Sequence, residues 1–286
     1  TGAWSIVSGA GGTITTPSSP TSTFSGTAGT TYTLRWTVSN APCAASTDDV
    51  IITFSQNPAF GICPSDVTVN ASSDCMATAT YMATAANTIP ASTLTYTFSG
   101  VTSGSGIGTG SGLVFNLGTT LVTLTATNSC GNNTCSFNVI VQASEINLRG
   151  NGMDIADGDN TPSSTDHTDF DQIISGSLLR TFTIQNTGIA PLTVGSISLG
   201  GTDANQFSTG PLSPASPVPP GQSATFTVTY IPNTVGIHNA TVVIANGDCN
   251  EGTYDFAIRG ELACSPPVIT TPAGSNGPIC PGTIEP

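Results

Sequence analysis

Eight cysteines, Cys43, Cys63, Cys75, Cys130, Cys135, Cys249, Cys264 and Cys280, are the residues of this chain best placed by type and number to form new covalent bonds. Their spacing contains no Cys-x-x-Cys knuckle, and Cys130-Gly-Asn-Asn-Thr-Cys135 has no histidine near it. With two histidines in 286 residues, that pattern points to disulfides and an oxidising, exported setting, not to zinc thiolates. A second candidate is the acidic segment with Asp154, Asp157, Asp159, Asp166, Asp169 and Asp171. Ca²⁺ takes about six to eight oxygen ligands from flexible loops, and Asp157, Asp159, Asp166 and Asp169 could hold one. The segment departs from the EF-hand pattern, because Thr161 stands at the third ligand position and Pro162 where the invariant glycine belongs. The competing reading is a run of Asx turns whose carboxylates cap their own backbone.

Nothing in the sequence assembles into a catalytic constellation, and the chain is not expected to be an enzyme. His167 lies in the acidic loop and His238 at the start of a strand, with no Gly-x-Ser-x-Gly elbow or activated cysteine to serve. The absence of lysine excludes Schiff-base chemistry, a phosphate-loop lysine and Lys–Asn isopeptide staples. No cofactor is expected other than the calcium already considered. Charged residues make up 7% of the chain, against about 25% in ordinary domains. The net charge of −13 argues against binding nucleic acid or anionic lipid. No signal peptide, no apolar run of membrane length and no initiator Met is present, so the chain reads as a mature or internal piece of an extracellular protein.

The elements that must carry these residues are short. Apolar residues alternate over brief runs between turn residues, and nothing sustains a helical period. Strands are predicted over Tyr32–Ser39, Val50–Phe54, Val67–Asn70, Ala77–Ala83, Leu94–Ser99, Val122–Thr127 and Ser136–Val141. Further on they are predicted over Leu179–Asn186, Leu192–Leu199, Ala224–Tyr230, His238–Ala245 and Tyr254–Arg259. Strands at this spacing define an all-β chain of antiparallel sandwiches. Breaks near Asn57-Pro58, Gln142–Glu145 and Glu261–Cys264 divide it into blocks 1–57, 58–143, 144–262 and 263–286. The first block is too short for a sandwich and leaves an unpaired edge; the last reads as an opening strand without a body. Together they come to about one sandwich, so we expect the first block to be completed by the tail of a neighbouring copy.

Three stretches resemble known modules. Cys63-Pro64-Ser65-Asp66-Val67-Thr68-Val69, Asp74-Cys75, Thr125 to Asn132 and Cys135-Ser136-Phe137 resemble the hyalin repeat (HYR), an immunoglobulin-like adhesion module. Ile146–Gly150, Asp157 to Pro162, Thr168-Asp169-Phe170, Arg180 to Gly188, Ile244 to Asn246 and Tyr254 to Ile258 look like the choice-of-anchor D domain. Gly2 to Val7, Leu34-Arg35-Trp36-Thr37 and Asn40–Cys43 are similar to PKD-like repeats. These resemblances imply tandem immunoglobulin-like sandwiches in a large surface adhesin or filament of the kind exported by type IX secretion, with modules that act mostly as spacers.

In a sandwich whose first and last strands lie side by side and parallel, Cys63 and Cys135 start those strands at the same end, which predicts Cys63–Cys135. That leaves Cys75–Cys130, although four cysteines allow three connectivities. Cys43 has no partner in its own block, and Cys280 would share its sandwich if the tail docks there, so Cys43–Cys280 is expected between successive copies; Cys249–Cys264 follows by elimination. Each bond is worth about 2–4 kcal/mol. The inter-repeat strand is expected to use Val268, Ile269, Ile279 and Cys280. Trp4, Trp36, Phe24, Tyr32 and Phe54 read as sandwich core sooner than as a carbohydrate platform. The alternating glycines of 99–112 read as a hairpin approached closely by a neighbour. Sequons stand at Asn70, Asn132 and Asn239. The function expected is a structural repeat unit whose partners are identical copies in a head-to-tail polymer. The alternative is an adhesion module that grips a surface glycan or partner with the 99–112 or 154–171 loop.

Overall fold

A computed structural model describes residues 1–86 and 89–264. Apart from one 3₁₀ turn at Ala204–Gln206, its regular structure is all strand. The first block contributes β1 (Gly2–Ser8), β2 (Thr13–Ile14), β3 (Phe24–Ser25), β4 (Thr31–Asn40) and β5 (Cys43–Thr53). The middle block contributes β6 (Ala59–Ile62), β7 (Val67–Asn70), β8 (Met76–Thr78), β9 (Thr84–Ala86), β10 (Thr93–Gly100), β11 (Gly104–Ile107), β12 (Val114–Asn116), β13 (Gly118–Asn128) and β14 (Gly131–Gln142). The third holds β15 (Ile146–Gly150), β16 (Met153–Ile155), β17 (Asp169–Ile173), β18 (Leu178–Asn186), β19 (Val194–Gly200), β20 (Phe207–Thr209), β21 (Ser223–Tyr230), β22 (Gly236–Asn246) and β23 (Thr253–Leu262). The expected breaks near Asn57 and Gln142 fall between β5 and β6 and between β14 and β15.

The period-2 pattern explains which way each strand faces. On β21, Ala224, Phe226, Val228 and Tyr230 are buried, and on β23 Tyr254, Phe256 and Ile258 are. In the third block the sheets β16-β15-β18-β21-β20 and β17-β23-β22-β19 close around one apolar cluster. Phe182 stands directly opposite Phe226, with ring centroids 5.5 Å apart. The middle block forms the sheet β11-β10-β13-β14-β7 with smaller pairs β12-β8 and β6-β9. Its second cluster runs from Ala77 through Phe98, Phe115, Leu124 and Phe137 to Val141. Strand β7 lies parallel to β14, with Val67 opposite Val139, which is the arrangement assumed for the first cysteine pair.

The first block differs. It has one three-stranded sheet, β1-β4-β5, faced by the small ribbon β2-β3. Within residues 1–57 the buried hydrophobics are Tyr32 and Leu34.

Two strand predictions ran long. The strand sought over Ala77–Ala83 is only Met76–Thr78, because Ala79 N–H turns to the Leu113 carbonyl and Tyr81 N–H to the Ser111 hydroxyl. The strand sought from Leu192 begins at Val194; Leu192 instead makes an isolated bridge to Val218.

Candidate functional site

The carboxylates of the acidic segment are engaged by donors of their own loop and of neighbouring strands. Asp159 Oδ1 accepts from the Thr161 N–H (2.9 Å) and hydroxyl (2.6 Å), and Asp166 Oδ1 accepts likewise from Thr168 (3.0 and 2.6 Å). Asp157 accepts from Asp255 N–H at 2.8 Å. Asp169 caps Asp171 N–H and pairs with Arg259 at 2.8 Å, while Asp171 pairs with Arg180 at 2.9 Å. These are the Asx turns of the competing reading: each carboxylate is spent on its own loop or on a neighbouring strand. No three of Asp157, Asp159, Asp166 and Asp169 bring carboxylate oxygens within 4.8 Å of one another. The histidines are apart as well. His238 is buried with both ring nitrogens engaged, to the Tyr230 hydroxyl (2.7 Å) and to Thr234 (2.9 Å). His167 sits in the acidic loop at φ 69°, its pKa lowered by burial and then by Arg180.

The disulfides are partly as expected. Cys63 and Cys135 are bonded, in line with the parallel β7–β14 register. The other bond joins Cys75 to Cys249 across 174 residues, from the middle block to the third. This replaces both Cys75–Cys130 and Cys249–Cys264. Strand length gives the reason. Cys75 follows Asn70, which lies beside Gln142 at one end of β14, whereas Cys130 precedes Gly131 at the other end. Twelve residues of strand hold them about 40 Å apart, far beyond the ~7 Å Cα limit for a bridge. Likewise the ten residues of β23 separate Cys249 from Cys264. Among the described residues Cys43, Cys130 and Cys264 are unbonded and exposed. Cys280, Val268, Ile269 and Ile279 lie outside the described residues, and with them the Cys43–Cys280 expectation.

The joint between the second and third blocks is therefore a built feature, and nothing in the sequence spacing signalled it. Its linker is 143–145. Ala143 O accepts from Ile189 and Ala190 N–H at 3.0 Å each, and Ser144 donates to Gly247 O at 3.1 Å. Gly188 is required there, since a Cβ would sit 2.5 Å from Glu145 N. Asp248, buried, accepts from Ile146 N–H (2.8 Å) and Asn250 N–H (3.2 Å). Beside the bond opens a polar cleft of about 330 Å³ walled by both blocks, with Asn70, Ser72, Gln142, Thr193 and Asp248 among its lining. Asp248, Glu145 and Glu251 bring carboxylate oxygens within 4.8 Å of one another. Burial raises the pKa of Glu145, with Asp248 adding to it. Burial raises that of Glu251 too, followed by Asp157, Asp248 and Glu145.

The other feature is the open sheet of the first block. Strand β5 ends that sheet with no further strand beside it among the described residues, and all its residues but Ile52 are exposed. An apolar trough runs beside it, lined by Trp4, Ile14, Phe24, Leu34, Val50 and Ile52. The aromatics read as core divide here. Phe24, Tyr32 and Phe54 pack edge to face, and the Tyr32 hydroxyl donates to Ala10 O at 2.7 Å. Trp4 and Trp36, 5.1 Å apart, are only half-buried. Cys43 opens β5, at the end away from the middle block. The glycine run is closely approached at two positions only: a Cβ on Gly106 would meet the Tyr96 hydroxyl at 2.7 Å and one on Gly110 the Phe98 ring at 2.6 Å, while one on Gly104, Gly108 or Gly112 would meet nothing within 4 Å.

This architecture is an all-β chain in which two blocks of packed sheets follow a first block of one three-stranded sheet and a small ribbon. No family model matches it, and no curated protein does. Similar solved structures include mouse cadherin-23 EC22-24, 13% identical over 92% of this chain and 86% of that one, at TM-score 0.35. A Porphyromonas gingivalis protein of unknown function is 10% identical over 81% of this chain and 91% of its own, at TM-score 0.33. Protocadherin gamma B7 cadherin domains 1–4 are 13% identical over 81% of this chain and 57% of theirs, at TM-score 0.35. Among the described residues no helix is long and apolar enough to cross a membrane.

Proposed function

We propose that this chain is a structural repeat unit of an extracellular filament or giant cell-surface adhesin, joined head to tail to identical copies. The segment 263–286 of one copy adds as a strand to the β5 edge of the next, and its apolar residues Val268, Ile269 and Ile279 fill the trough. The observation that carries this reading is the outer edge of β5, a long, exposed strand paired to β4 on one side and, among the described residues, to no strand on the other, beside half-buried tryptophans. Such an edge invites addition of an extended segment, which gains main-chain hydrogen bonds along β5 and side-chain pockets along the trough. Exposed Cys43 at the start of β5 supplies a thiol for Cys280 of the incoming strand. The disulfides support an oxidising, extracellular setting, and the PKD-like, HYR-like and choice-of-anchor D-like residues fit modules of that kind.

Non-reducing denaturing gels of the native assembly test the reading. A ladder that survives boiling and collapses with reductant supports the Cys43–Cys280 link; monomer without reductant defeats it. Mass under reducing conditions then separates subunits of about 29 kDa from a single polypeptide of many repeats. A second reading has one observation in its favour: Ile107, in the β11 hairpin, is 89% exposed and could serve a loop that grips a glycan or a protein partner. Binding on a glycan array by one excised repeat would favour it over a purely structural role.

A further inference from the structure

We propose that the Cys75–Cys249 bond carries tension past nearly all of the second and third blocks, so that a pull on the two chain ends leaves the chain between those two cysteines slack. The inference deepens the structural reading above, since a unit in a filament or adhesin is pulled end to end.

Tension enters from the N-terminal side and runs along the backbone to Cys75. There the covalent path divides: one branch is the whole chain from residue 76 to residue 248, the other a single S–S bond to Cys249. The shorter branch becomes taut first, and everything on the longer branch stays slack. Strands β8 to β22 all lie on the longer branch. Beyond Cys249 the path follows β23 to Cys264. That strand is already extended at about 3.3 Å per residue, against a ceiling of about 3.6 Å, so it has almost no length to release. It is also an interior strand of its sheet, held by β22 on one side and β17 on the other. The third sandwich is thus pulled along one straight strand, and neither of its sheets is drawn apart.

On the entry side the loaded part of the middle block is short. It consists of β6, which pairs with β9, and β7, which runs parallel to β14. Cys63–Cys135 fastens the start of β7 to β14. The first block receives no such protection among the described residues: all of 1–57 lies on the tension path, and no disulfide joins two of its residues.

Single-molecule extension of the full 286-residue chain, held at its two ends, tests this. The oxidised chain should reach a fully stretched length about 600 Å shorter than the same chain in dithiothreitol, which reduces each disulfide to two thiols and is itself oxidised. The variant C75S/C249S keeps only the bond across 72 residues. It should stretch roughly 350 Å further than the oxidised natural chain, and reductant should add roughly 250 Å more. C63S/C135S should leave the oxidised length unchanged, because the taut path does not use that bond. An oxidised natural chain that reaches the reduced length overturns the proposal, as does a C75S/C249S chain no longer than the natural one. If a variant does not fold, the reductant comparison on the natural chain still decides. Pulling one molecule involves no second copy, so this result and that of the gel ladder can fail independently.

Discussion

The first and third blocks start from the same kind of strand and end in different states. In the third, two sheets of five and four strands face each other, and residues such as Phe182, Phe226 and Phe256 are wholly buried between them. In the first, a sheet of three strands turns one apolar face toward a ribbon too short to cover it, and Trp4 and Trp36 stay half-exposed. The difference teaches that alternation makes a strand, while burial of its apolar face takes a second layer of matching width. Where the layer is present the block is self-sufficient; where it is narrow, the same alternation leaves an edge and a trough that another segment can fill.

Substitutions in the two cores should separate the blocks most widely. Phe226→Ala in the third block should cost about 3–5 kcal/mol, read by urea denaturation of the full chain. Trp36→Ala should cost well under that, since the ring is already partly in water; equal losses would mean the first block is as closed as the third. Next in size is the staple. Removing Cys75–Cys249 frees a very long loop and should cost about 2–5 kcal/mol, seen as a lower melting temperature with the strand content unchanged. A reductant that leaves melting untouched would show that the third block owes its closure to packing alone.

Asn186→Ala should cost about 1–3 kcal/mol. This buried side chain donates to Ala190 O (2.8 Å) and Val218 O (2.9 Å) and accepts from Gly188 N–H at 3.1 Å, holding the turn on which the linker rests. The smallest effect should be at the carboxylates of the joint. Glu145 and Glu251 have folded pKa values raised above the ordinary range, so their ionised forms cost stability near neutral pH. That cost is lifted as pH falls through the raised values, so melting temperature should rise on mild acidification from pH 7. Glu145→Gln with Glu251→Gln should raise melting at pH 7 and flatten that rise; a fall in melting on acidification above pH 5 would contradict the assignment.

Much of this was legible in local sequence. Strands such as Val67–Asn70 and Leu94–Ser99 show themselves because alternation and turn residues are short-range signals. Cys63–Cys135 was within reach because it depends on one neighbouring strand pair. The Asx turns were half legible, because Asp-x-Thr at Asp159 and Asp166 is a local signature. Cys75–Cys249 was out of reach. No periodicity or spacing relates two residues 174 apart in different blocks, and the carboxylate cluster at the joint was hidden for the same reason.

The amino-acid sequence alone thus determined the all-β class, the lack of catalytic chemistry built on lysine, and the bond inside the middle block. These follow from the steric preferences of residues a few positions apart and from counting. Only the tertiary structure decided which cysteine crosses the joint and which acids crowd together there. Those outcomes depend on how whole blocks dock, where contact is set by the shape of folded surfaces and not by distance along the chain.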